Sequence, residues 1–107
     1  MWLIPTTLKF PKSQRFLLAE RLGKLALDFY DLILEAVMDP SVQVERLALA
    51  DGTLNKIRLY VRLSFDLQCI SLGQYEHAAR RLDEIGRLLG GWQRKQRQSR
   101  REAASAP

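Results

Sequence analysis

Leu18-Ala19-Glu20-Arg21-Leu22-Gly23-Lys24-Leu25-Ala26-Leu27-Asp28-Phe29-Tyr30-Asp31-Leu32-Ile33-Leu34-Glu35-Ala36 carries the pattern that decides the fold. Leu18, Leu22, Leu25, Phe29, Leu32 and Ala36 recur at steps of four and three, while Glu20, Lys24, Asp28, Asp31 and Glu35 take the other side. An apolar stripe at the helical period has to be covered by another element, so this segment predicts one long helix of a bundle. It is expected over residues 12–38. Pro11 suits a first-turn position that needs no amide donor, and Asp39-Pro40 ends the helix because proline disfavours a helical residue ahead of it.

Two further segments of similar length follow. Residues 41–70 open on Ser41 as an N-cap after Pro40. Asp51-Gly52 either breaks this segment in two or is tolerated within one helix; matching the length of the neighbouring segments favours the unbroken form. Beyond Gly52, Leu54, Ile57, Val61 and Phe65 share one stripe and Leu59, Leu63, Leu67 and Ile70 another, which predicts a helix lying between two partners. After the short Ser71-Leu72-Gly73 connection, a third helix is expected over 73–97, returning antiparallel.

The third segment has an unusual ending. Tyr75, Ala78, Leu82, Ile85, Leu89 and Trp92 form one seam that runs into Gly90-Gly91-Trp92, with Gly86 four residues before Gly90. Two readings stay open. One glycine takes a left-handed C-cap and Trp92 folds over the bundle end, or Gly86, Gly90 and Gly91 bare a strip on which a neighbouring helix or subunit sits close, with Trp92 packing beside it.

At 107 residues the chain makes one domain, near the size at which helical proteins gain stability by association, so an oligomer is expected. Net charge is +5, unevenly spread. Residues 1–93 hold 12 Lys/Arg against 11 Asp/Glu; Arg94, Lys95, Arg97, Arg100 and Arg101 face only Glu102. Residues 98–107 read as a disordered basic tail, with contact to nucleic acid as the functional alternative. The lone Cys69 allows no internal disulfide and fits a reducing compartment; with no apolar run uninterrupted by charge, a cytoplasmic location is expected.

No catalytic, metal or cofactor site emerges. His77 is the only histidine, and with Cys69 it falls short of the three or four ligands a metal needs. No phosphate-binding loop follows a strand, and no nucleophile has an identifiable base. Asp83 and Glu84 point some 100° apart and are better suited to surface ion pairs, Asp83 with Arg87 being the clearest. The reading is therefore a non-enzyme with no small-molecule substrate.

Three pieces of the chain resemble the Avd family, the accessory proteins of diversity-generating retroelements, which are related to four-helix-bundle proteins encoded in ribosomal RNA intervening sequences. They are Phe10-Pro11-Lys12-Ser13-Gln14-Arg15-Phe16, Leu54-Asn55-Lys56-Ile57-Arg58-Leu59-Tyr60-Val61-Arg62-Leu63, and Asp83 to Trp92. The resemblance implies an all-α four-helix-type bundle of long antiparallel helices whose first helix is short or truncated here, residues 1–9 resembling its last turn and link. It also implies a pentamer with a positively charged exterior that binds a reverse transcriptase and template RNA or cDNA without doing chemistry.

Arg58 and Arg62, four apart and flanked by Lys56, resemble the family's polymerase-binding residues. The plainer reading of Arg62 is an ion pair with Asp66 on a solvated face. Arg80, Arg81, Arg87, Arg94, Lys95, Arg97, Arg100 and Arg101 are the candidates for nucleic-acid contact. The rival expectations are an interaction bundle of the intervening-sequence type with no polymerase partner, and an autonomous RNA-binding protein driven by its tail.

Overall fold

A computed structural model describes residues 12–105, and side-chain placement from residue 15 onward. Three long helices and one short turn account for nearly all of it: α1 (Lys12–Met38), a 3₁₀ turn (Pro40–Val42), α2 (Gln43–Asp66) and α3 (Leu72–Ser105). No strand occurs among the described residues. The fold is all-α. The additional helix expected near residues 1–9 falls outside the described residues.

The α1–α2 corner is built by side chains that cap backbone. Asp39 Oδ1 accepts the Ser41 N–H at 3.0 Å and the Ser41 hydroxyl at 2.6 Å. Asp39 is thus the cap, in place of the expected Ser41, because the first residues after Pro40 form the 3₁₀ turn before α2 begins. Gln43 Nε2 then donates to the Ala36 carbonyl at 2.8 Å, satisfying an end carbonyl of α1.

Helix α2 runs unbroken through Asp51 and Gly52, and a Cβ on Gly52 would meet nothing within 4 Å. It ends four residues before the expected boundary. Gln68 adopts φ 61, its N–H donates to the Phe65 carbonyl, and the Cys69 N–H donates to the Ser64 carbonyl. Those two bonds make a Schellman stop, here on a residue other than glycine. Helix α3 begins with a reciprocal capping box. Gln74 N–H donates to Ser71 Oγ at 3.1 Å and Ser71 N–H donates to Gln74 Oε1 at 2.8 Å.

Both α1 and α3 pack on α2, and no Cα of α1 comes within 8 Å of a Cα of α3. The layout is three corners of a square, extending 67 × 22 × 20 Å. Its core holds Ala36, Leu47, Ala50, Leu54 and Leu89, with Phe29, Leu32, Ile33, Leu82 and Trp92 packed around them. The Phe65 and Tyr75 rings stack at 4.8 Å between α2 and α3, and the Arg21 guanidinium sits 5.8 Å from the Tyr60 ring between α1 and α2.

Three expectations are corrected. First, α3 passes straight through Gly90 and Gly91, neither at positive φ, so neither is a C-cap; Trp92 and Leu89 anchor that turn to the core more strongly than the glycines weaken it. Second, residues 98–105 continue α3 rather than forming a disordered tail. Arg, Gln, Glu and Ala are good helix formers, and no glycine or proline interrupts them. Third, α2 does lie between α1 and α3 as expected, but its second stripe is covered only in part: Leu67 and Ile70 are half-buried while Leu59 and Leu63 remain exposed.

Candidate interaction surface

The structure separates the three residues expected to bind a partner. Arg58 leans from α2 onto α3, where Nη2 donates to the Leu82 carbonyl at 3.3 Å and lies 3.8 Å from the Asp83 carboxylate. Its Nη1 donates to Asn55 Oδ1 at 3.1 Å, and its Nε is buried without a partner. This packing needs Gly86. A Cβ built there would overlap Arg58 Nη2 and approach Leu54 Cδ2 to 3.6 Å.

Arg62, one turn further along α2, is exposed. Its Nε donates to Asp66 Oδ1 at 3.0 Å, and the guanidinium lies 6.0 Å from the Tyr75 ring centre. The Asp66 carboxylate, and behind it the Tyr75 hydroxyl, raise the pKa of Arg62 above its ordinary value, so it stays charged throughout the working range. Lys56 belongs to a different face. It lines the groove between α1 and α2 together with Asp28, Asp31, Glu35 and Leu49, an acidic setting.

Asp83 does not pair with Arg87. It turns across the helix interface to Arg58, and the surface pair on α3 is Arg81 with Glu84 at 3.7 Å. A further ion pair, which the sequence does not announce, joins α1 to α2, where Arg46 Nε meets Glu35 Oε1 at 2.7 Å. Local spacing carries no sign of it, because the partners are eleven residues apart and meet only once the corner has folded.

Helix α3 organises the remaining candidates. Arg80, Arg81 and Arg87 share an exposed shallow depression with His77, Asp83 and Glu84. Arg87 and Arg94 flank the α2–α3 groove lined also by Asp51, Arg58, Gly86 and Gly90. Arg80, Arg87, Arg94 and Arg101 recur every seven residues, so on a continuous helix they form one row with steps of about 10.5 Å. All four are exposed, and none makes an ion pair within the described residues. The heptad spacing is visible in the sequence, but a helix expected to end at 97 leaves out its last member. Arg97, three after Arg94 and four before Arg101, borders this row, while Lys95 and Arg100 lie off it on the same final turns.

The glycines expected to open a packing strip behave differently from one another. Only Gly86 carries a close approach, and what approaches is Arg58 of the same chain; at Gly90 and Gly91 a Cβ would meet only the Arg94 side chain, at 3.6 and 3.8 Å. No group of three or more metal-ligating side chains gathers among the described residues. No helix there is long and apolar enough to cross a membrane. What the surface offers is an exposed helix lined with cations and one half-buried arginine at a helix interface.

Compared with known proteins, residues 1–96 match the model of a family described as bAvd-like. No curated protein and no solved structure matches the chain.

Proposed function

The chain belongs to the bAvd-like family, a kind of accessory protein, and from that premise we propose that it is the non-catalytic subunit of a diversity-generating retroelement. In this reading it holds the reverse transcriptase and its template RNA or cDNA product in one complex. The observation that carries the nucleic-acid half is the arginine row of α3. Four guanidiniums at steps of about 10.5 Å on one exposed helix face supply phosphate contacts whose strength depends on counterion release, not on base sequence.

For the polymerase half, Arg62 is the contact residue, with its fork held ready by Asp66 and its charge secure. Arg58 acts as its support, fixing α2 against α3 while its side chain stays part-exposed beside Asp83. A homo-oligomer, a pentamer in this reading, would repeat both surfaces and turn modest contacts per subunit into firm binding.

Co-expression with a neighbouring reverse transcriptase, followed by purification and mass measurement of the complex, tests the proposal. Retention of polymerase and RNA supports it. A homo-oligomer that retains neither would instead favour the structural bundle of the intervening-sequence type. Arg62→Glu should release the polymerase, whereas replacing Arg80, Arg87, Arg94 and Arg101 by Gln should weaken RNA binding and flatten its salt dependence.

A further inference from the structure

Helices α2 and α3 enclose one groove on the side that carries Arg58. Val44, Asp51 and Arg58 recur every seven residues on α2, so they form a row with steps of about 10.5 Å. Arg97, Arg94, Gly90 and Gly86 face them from α3 at steps of three and four, which makes them neighbours on that helix. From Val44 to Arg58 the groove is about 21 Å long, the reach of about six residues of extended chain.

Its two ends differ in chemistry. At the Val44 end a pocket of about 170 Å³ opens between Val44, Leu47 and Ala48 of α2 and Gln93, Gln96 and Arg97 of α3. That is close to the cavity of about 150 Å³ that takes a benzene-sized guest, so one aliphatic side chain fills it. The rim is polar without being acidic. Gln93 and Gln96 are half-buried, and their carboxamides make no hydrogen bond among the described residues. Arg87, Arg94 and Arg97 make no ion pair there either. Over the whole groove the guanidiniums of Arg58, Arg87, Arg94 and Arg97 stand against the carboxylates of Asp51 and Asp83. Gly90 lies in the floor, where a Cβ would meet only the tip of Arg94, at 3.6 Å. Glycine lowers helix propensity at that position, and no part of another helix takes up the space it leaves.

This mixture selects an occupant. A nucleic acid brings a phosphate at every step, which Asp51 and Asp83 repel, and among the described residues no aromatic ring lines the groove for a base to stack on. An extended peptide brings hydrogen-bonding groups of both kinds. Its backbone N–H groups suit Asp51 and the carboxamide oxygens, its carboxylates suit the arginines, and one apolar side chain suits the pocket.

We infer that the α2–α3 groove binds an extended acidic segment of a partner protein, seating one aliphatic side chain among Val44, Leu47 and Ala48 and acidic side chains on Arg94 and Arg97. The site goes beyond the accessory reading and does not depend on it. Arg87 and Arg94 belong also to the row proposed for nucleic acid, whereas Val44, Gly90, Gln93 and Gln96 do not.

Fluorescence anisotropy of the full chain, free of nucleic acid, with a labelled hexapeptide Glu-Asp-Leu-Glu-Asp-Glu tests it. The wild type should bind saturably. Serine in place of the peptide's leucine should weaken binding by about tenfold, the effect of leaving one leucine side chain unburied, and glutamine in place of its acids by at least as much. Gly90→Leu should raise the unfolding temperature, because leucine is the better helix former, yet weaken the peptide by about tenfold or more by filling the floor. A loss of folding cannot imitate that pair of results. Gln96→Glu puts a carboxylate on the pocket rim, on the side of α3 away from Arg80, Arg87, Arg94 and Arg101, and should weaken the peptide while leaving the binding of an oligouridylate unchanged. No saturable binding by the wild type overturns the inference. Equal binding of the leucine and serine peptides also overturns it, since the pocket then has no role. So does an oligouridylate whose affinity falls in parallel with the peptide's in both variants, which gives the groove to nucleic acid. None of these measurements contains a polymerase, so the accessory reading stands or falls separately.

Discussion

Arg58 of α2 lies across Gly86 of α3 so closely that the guanidinium occupies the space a β-carbon would need. The glycine gives up about 1 kcal/mol of helix propensity relative to alanine, and the contact it permits is a charge-assisted bond to the Leu82 carbonyl beside Asp83. The two terms oppose each other. Gly86→Ala alone should change stability by less than about 1 kcal/mol, since the atom displaced is the far end of a flexible side chain. In an Arg58→Ala background the same substitution should stabilise by about 1 kcal/mol, because only the propensity gain remains. Urea melts of the four proteins in the cycle measure the difference. Equal effects in both backgrounds would mean that Arg58 and Gly86 are not coupled.

Gln68 ends α2 in a left-handed conformation, at φ 61, that a β-carbon makes unfavourable. Its side chain is exposed, so replacing it removes no core packing. Gln68→Gly should therefore raise stability by about 0.5–1 kcal/mol, read as a higher urea midpoint at unchanged m. A loss of stability would show that the unfolded-state entropy of glycine outweighs the relieved strain.

These two positions show what the sequence could and could not disclose. Helix α1 is legible because its period never fails from Leu18 to Ala36, and the continuity of α2 follows from length matching across Gly52. The Gly86 to Trp92 stretch is ambiguous because glycine both ends helices and admits close neighbours. Only tertiary packing decides, through Leu89 and Trp92 in the core and Arg58 over Gly86. The tail from 98 misleads because its charge suggests a solvated coil while its helix propensity, which wins, is high. For the candidate site, residue types are legible but their grouping is not. Lys56 and Arg58 are two apart in sequence and on a helix that spacing sends them to different sides, one toward α1 and the other onto α3.

Asp39 sets an acid limit on the α1–α2 corner. The Ser41 hydroxyl, then the Ser41 N–H, donate to its carboxylate and hold its pKa below the ordinary 3.8. A folded pKa below the unfolded one means that the stabilisation is present above the unfolded value and is lost as pH falls through the folded value. Acid titration of thermal unfolding should therefore show the wild type losing stability below about pH 4 more steeply than Asp39→Asn, which keeps an acceptor without the charge. Parallel acid limbs would remove Asp39 from that account.

The last turns of α3 separate folding from binding. From Gln98 to Ser105 every residue is exposed, and the only side-chain bonds there run from the Ser105 hydroxyl back to the Arg101 and Glu102 carbonyls of the same helix. A helix end that packs on nothing contributes little to the global free energy and frays first. Truncation after Arg97 should thus leave the unfolding free energy within about 0.5 kcal/mol of the full chain while lowering helical circular dichroism by the missing turns. If the arginine row carries polyanion binding, the same truncation should weaken RNA binding and reduce its salt slope by about 0.7 to 0.9, because Arg101, the last member of the row, no longer neutralises a phosphate. Unchanged dichroism would show that these residues are not helical in solution, and unchanged RNA binding would take Arg101 out of the row.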